Sequence, residues 1–155
     1  MKLAQGILCG AWALAFPFDW AKQIVDEYEL TPIPKAPDWL VGGTNVDGNI
    51  VPVVNLAVYL GTAPAVPTTS QPRLLIGGMA DILAADAAAD SVALLFEGLP
   101  QQLNYEPQAL TYAAALPPRL RELCGAVARN SQGQEFLEID AVQLMAALSD
   151  ELAQV

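Results

Sequence analysis

The run "GGTNVDGNIVPVVNL", residues 42–56, constrains this chain more than any other stretch. Asp-Gly between two β-prone runs is among the strongest local signals for a two-residue hairpin, because both turn positions need φ > 0 and Asp and Gly adopt it at least cost. Asp47 and Gly48 are thereby placed at an exposed tip. The returning run "NIVPVVNL" is apolar nearly throughout, which predicts a strand covered on both faces. Pro52 lacks an amide hydrogen and belongs at an edge or a bulge, and an edge strand is a place where another chain can dock.

The rest of the chain reads as strand-rich segments around a weak linker. "GILCG" and "ALAFPF" predict two short strands, and "FDWAKQIVDEYE" predicts a helical turn leading into a strand. Three prolines hold "TPIPKAPDWL" extended. The stretch "GTAPAVPTTSQP", residues 61–72, has the composition of an exposed connection. Beyond it, "RLLIGG" and "SVALLFEGL" suit buried strands, with the alanine-rich "MADILAADAAAD" between them as a helix or a long hairpin loop. A second hairpin is expected in "LCGAVARNSQGQEFLEI", turning at Asn130 to Gly133. At the C-terminus, Asp140 caps a helix with Gln143 reaching back. Ala141, Leu144, Met145, Leu148 and Leu152 form its apolar stripe, which packs on a core.

Composition narrows the function classes. A chain of 155 residues is one compact unit or two small subdomains sharing a core. Its net charge of −10, with seven Lys and Arg, repels phosphate backbones and anionic lipid, so neither nucleic acid nor a membrane surface is an expected partner. The start, Met1-Lys2 followed by "LAQGILCGAWALAF", imitates a secretory leader. Pro17 and Asp19 cut the run short of the ~20 residues a membrane span needs, so the segment is read as folded chain with no membrane insertion. An apolar fraction of 54% is high enough that part of it is expected to meet partners.

Absences prune the chemistry. With no histidine there is no Ser-His-Asp or Cys-His machinery and no imidazole metal site. Gly42-Gly43 and Gly77-Gly78 lack the lysine and spacing of a phosphate loop. Asp81, Asp86 and Asp90 cluster, but Asp86 and Asp90 at i,i+4 repel each other, so a solvated segment is expected rather than an acid pair or a calcium loop. Cys9 and Cys124 read as two lone buried thiols, with a single disulfide as the alternative.

At this point the residues carry a resemblance. "LTPIPKAPDWLVGGTNVDGNIVPVVNLAVYLG" resembles the CheW-like family, whose pattern here runs as an extended I/L-P, a second Ala-Pro, a Gly before the strand, Asn-Leu-Arg-Gly, and Ile-Val-Pro followed by hydrophobics and Asp-Leu. "SVALLFEGLPQQL" is similar to that family's second-subdomain strand, and "FLEIDAVQLMAALSDEL" to its terminal strand and helix. The resemblance implies a mainly β fold of two small five-stranded β-barrel subdomains sharing a core, with a C-terminal helix. Residues 1–155 form a single domain on this reading, with approximate subdomains 12–65 plus the chain ends, and 72–140.

The resemblance also implies a cytoplasmic, non-enzymatic signalling adaptor with no cofactor. Its partners would be the regulatory domain of a CheA-like histidine kinase and the cytoplasmic tip of a chemoreceptor, in a chemotaxis or pilus-type pathway. Carried over, its binding residues are Asn45, Val46, Asp47 and Gly48 at the hairpin tip, with Gln23 and Ile24 beside them. Three positions depart from the pattern: Asp47 stands where the family usually has Arg, Asn55 where it has Asp, and Ala57 where Arg is common. Asp47 reverses the charge that a receptor would meet. The alternative is a small-molecule-binding β module that uses the gap between the subdomains, and the apolar excess is as available to self-association as to a kinase.

Overall fold

The computed structural model describes residues 1–61, 72–78 and 91–154. The expected linker at 61–72 falls largely outside the described residues, and the alanine-rich segment with Asp81, Asp86 and Asp90 falls wholly outside them. In chain order the elements are β1 (Lys2–Cys9), β2 (Trp12–Pro17), β3 (Ala21–Val25), β4 (Leu40–Val46), β5 (Asn49–Val54) and α1 (Leu56–Tyr59). They continue with β6 (Arg73–Gly78), β7 (Ser91–Tyr105), β8 (Gln108–Ala109), α2 (Pro118–Leu123), β9 (Cys124–Arg129), β10 (Glu135–Ile139) and α3 (Ala141–Leu152). The protein is mainly β with a C-terminal helix.

One long strand organises the whole. The first part of β7 pairs antiparallel with β6 from Ser91 to Phe96, and parallel with β5 at Ala93 and Leu94. Its second part pairs antiparallel with β1, from Glu97 opposite Leu8 to Tyr105 opposite Lys2. The ladder shifts register between Gly6 and Leu8, and Gly98 stands opposite that shift with φ 74°. A bulge of this kind bends a strand and raises its twist, which lets β7 leave one sheet and enter the next.

Two strand sets follow from this. The first runs β4-β5-β7-β6-β3, and the second runs β7-β1-β2-β10-β9-β8. Alternation along the strands sorts the apolar residues into three clusters. Val51, Val53, Leu74 and Ile76 fill the first set, and Ala4, Ala15, Leu103 and Phe136 fill the second. Between them lies a shared core in which Leu14 and Phe16 meet Val54, Leu75, Leu94 and Leu144.

The mainly β fold of two strand sets around a shared core is the one expected; the expected closure into barrels is not made by backbone ladders alone. No backbone ladder closes either set among the described residues. In the first set the far side of β4 is reached only through an isolated bridge between Thr31 and Gly43, with reciprocal bonds of 2.8 and 2.9 Å. Pro32 and Pro34 follow Thr31 and have no amide hydrogens with which to lengthen that ladder. In the second set β8 is two residues long. Side chains span the rest: Asn130 Nδ2 donates to Gln101 Oε1 at 3.0 Å, joining the β9–β10 turn to β7.

Local expectations fared unevenly. The second hairpin turns where expected, with Gly133 N donating to Asn130 O. Asp140 caps α3 through its side chain, which accepts from Gln143 N at 3.1 Å. The return bond expected from Gln143 is not the one that satisfies Asp140 N, which donates to Leu123 O at 2.8 Å and so ties the cap to the end of α2. Ala141, Leu144 and Leu148 are buried, with Met145 and Leu152 packed against the same core. Both cysteines are free and buried, which removes the disulfide alternative. "FDWAKQIVDEYE" opens in a hydrogen-bonded turn, Trp20 N donating to Pro17 O at 3.0 Å, and leads into the expected strand as β3, paired to β6. Met1-Lys2 and the apolar residues after it form the β1–β2 hairpin, and no helix of the described residues is long and apolar enough to cross a membrane.

Candidate protein-binding surface

The β4–β5 hairpin is built as its sequence demands. Val46 pairs with Asn49 across the turn, Asp47 takes φ 51° and Gly48 takes φ 88°. Two successive positive φ values match the right-handed twist of the flanking strands. Asn45 Oδ1 accepts from Gly48 N at 3.0 Å, so the turn is fixed by its neighbour and not by Asp47. The Asp47 carboxylate is left exposed.

The six residues expected at the surface divide between two places. Asn45, Val46, Asp47 and Gly48 form one continuous tip. Val46 is half-buried and packs against the interior of the first strand set, so it serves folding as well. Gln23 and Ile24 lie on β3, paired with Ile76 and Leu75 of β6, and both are exposed. In strand order β3 and β4 stand at opposite ends of that set, and among the described residues no ladder or hydrogen bond joins Gln23 or Ile24 to the tip. Gln23 and Ile24 thus lie on a different strand from the tip, and the segment after β3 reaches β4 through the Thr31–Gly43 bridge.

One residue on the hairpin escaped the sequence reading. Ile50 is 64% exposed, although "NIVPVVNL" was expected to be covered on both faces. The parallel pairing with β7 starts only at Val53, so among the described residues Asn49 to Pro52 have β4 alone as a paired neighbour and form an edge, as Pro52 required. Alternation carried the missing signal: Val51 and Val53 point inward, and Ile50 must then point out.

A cleft of about 670 Å³ opens between the strand sets. It is lined by Lys2, Trp20, Lys22, Tyr105, Glu138 and Val142 among others. Its polar groups are largely engaged: Lys2 Nζ sits 3.5 Å from Glu138 Oε1, Tyr105 donates to Glu138 Oε2 at 2.5 Å, and Lys22 Nζ donates to Asp19 O. Burial, followed by the bond to Glu138, raises the Tyr105 phenol well above its ordinary range. The indole nitrogen of Trp20 is buried and unpartnered.

Nucleophile chemistry finds little support. Burial pushes the Cys9 thiol up to about 12, which leaves essentially no thiolate at neutral pH. Cys124 is raised in the same direction, chiefly by burial. Among the described residues no group of three or more His, Cys, Asp or Glu side chains is placed to hold a metal ion.

The hairpin thus offers an exposed edge, an exposed apolar residue and a free carboxylate, features that protein-interaction modules use. The CheW-like domain family matches residues 6–149, and the chain belongs to that family. The chemotaxis protein CheW of Thermotoga maritima is 43% identical over 49 residues, a stretch that covers 32% of each chain. The match thus spans about a third of that relative's length. The crystal structure of the scaffolding protein TtCheW from Thermoanaerobacter tengcongensis superposes with a TM-score of 0.71 at 13% identity, over 90% of this chain and 88% of that one. At that identity the likeness is one of fold.

Proposed function

We propose that this chemotaxis-type scaffold is a non-enzymatic cytoplasmic adaptor that couples chemoreceptors to a CheA-like histidine kinase. It acts by binding the kinase's regulatory domain. The observation that carries this reading is the β4–β5 hairpin, whose tip is locked by Asn45 and presents Asp47 and Ile50 to solvent. A surface that is rigid before binding loses little entropy on docking. The family membership supports the adaptor role, as do the names of its relatives, a chemotaxis protein and a scaffolding protein. The absence of histidine from the sequence agrees with a role outside catalysis. The test is co-elution of the purified chain with the kinase regulatory domain or the receptor cytoplasmic tip from the same organism; separate elution from both would remove the reading.

A second reading rests on the cleft between the strand sets. Its size is within the ~300–1,000 Å³ of small-ligand sites, and Lys2, Lys22 and Trp20 are among the residues that line it. A compound that raises Tm reproducibly, with the rise lost in Trp20→Phe, would support ligand binding there.

A further inference from the structure

We infer that the outer face of the β4–β5 hairpin docks a protein surface carrying a lysine or arginine opposite Asp47, beside a flat apolar strip opposite Ile50. This deepens the adaptor reading and rests on it. Gly43 pairs with both Thr31 and Pro52, and Asn45 pairs with Ile50. Residues paired across antiparallel strands share a face. Thr31, Gly43, Pro52, Asn45 and Ile50 therefore lie on one side, opposite the buried Val51 and Val53.

Gly43 keeps that face flat. A Cβ there would stand 3.1 Å from Ile50 Cγ2, so the Ile50 side chain leans over the glycine and forms a low ridge. At the end of the ridge is Asp47. Its side chain makes no ion pair or hydrogen bond among the described residues, because Asn45 takes the turn-locking role that an aspartate often fills. The rim agrees in sign: Glu27 and Glu29 are exposed in the segment that Thr31 bridges to β4.

Charge selects the occupant. A second copy of this chain would bring another Asp47 and another net charge of −10 to the same contact, and like charges brought together across an interface are costly. A partner with a basic side chain gains a charge-assisted bond to a carboxylate that has no competing partner among the described residues.

The experiment uses the full chain and the CheA-like kinase regulatory domain of the same organism, with binding measured by calorimetry at about 0.05 and 0.5 M salt. Asp47→Asn keeps a residue that tolerates φ > 0 and is expected to weaken binding about three- to tenfold at low salt. Asp47→Lys should weaken it more than tenfold, with both losses shrinking at high salt. Exchanging the facing Lys or Arg of the partner for Glu should restore the Asp47→Lys chain and harm the original. Unchanged or tighter binding by both variants overturns the inference and leaves the adaptor reading standing. A concentration-dependent dimer that Ile50→Ser abolishes assigns the face to a second copy and overturns it as well. No binding by the unsubstituted chain removes the adaptor reading, and this inference falls with it.

Discussion

The guanidinium of Arg119 lies 4.5 Å above the ring of Tyr59 and donates from Nη1 to that residue's own carbonyl at 2.8 Å. Its Nη2 also sits 3.5 Å from Glu151 Oε1. Through this one side chain α2 is fastened to α1, which continues directly from β5, and to the last turn of α3. Trp39 packs edge-on against the same tyrosine at 5.2 Å. The helix that follows the candidate binding strand is held by the other half of the molecule.

Arg119→Ala is therefore expected to lower stability by about 1–3 kcal/mol, from the cation–π contact and a charged hydrogen bond together. Arg119→Lys should recover only part, since an ammonium cannot stack and donate as the planar guanidinium does. Urea denaturation of the three proteins checks this, and equal stability of all three would remove the strut.

Gly77 is expected to be intolerant for a reason of packing. Any Cβ there would run into the Trp20 indole, which itself stacks on Phe16 with centroids 5.2 Å apart. Gly77→Ala should cost about 1–3 kcal/mol. Adding Trp20→Leu should make that cost smaller than in the original background, a coupling that a double-mutant cycle measures.

Cys9 gives the stability a sign against pH. Its folded value near 12 is above the ordinary thiol value, so the native state holds its proton after the unfolded state has lost it. Stability from this group is complete below about pH 8.5 and falls as pH rises toward 12, by about 1.4 kcal/mol per unit at most. Cys9→Ala should lose less stability than the original chain between pH 8.5 and 11. Thermal melts across that range decide it, and parallel curves would contradict the buried thiol.

The turn itself separates backbone from charge. Asp47→Asn is expected to leave stability within about 0.5 kcal/mol of the original, whereas Asp47→Val should cost about 1–2 kcal/mol because a branched residue resists φ of 51°. The left-handed position also makes Asp47→Arg costlier than an exposed site alone would imply, so Asn is the cleaner probe of charge.

Much of this fold was legible because strong local signals coincided with tertiary demand. Asp47-Gly48, the turn at Asn130 and the stripe from Ala141 to Leu152 were each specified by their own residues. Two short helices were not read. In α1 the signal was Asn55, whose side chain caps Val58 N at 3.2 Å, but four residues are too few for periodicity to show. In α2 it was Pro118 at the first helical position. The extent of β7 was illegible for a different reason: its change of sheet at Gly98 depends on pairing with β1, almost ninety residues away in sequence. Of the candidate surface, the tip was readable from turn chemistry. The strand that Gln23 and Ile24 pair with was not, since strand order is a property of the whole sheet.

On the proposed reading this chain is an adaptor that binds its kinase through the β4–β5 hairpin. Size-exclusion chromatography of the purified chain with the CheA-like kinase regulatory domain from its own organism tests it most directly, run beside Ile50→Ser. The expected result is a 1:1 complex for the original chain that is weakened or lost for Ile50→Ser, while both proteins melt at similar temperatures. A complex that forms equally well with either protein would contradict the placement of the surface, and no complex with the original chain would contradict the adaptor role itself.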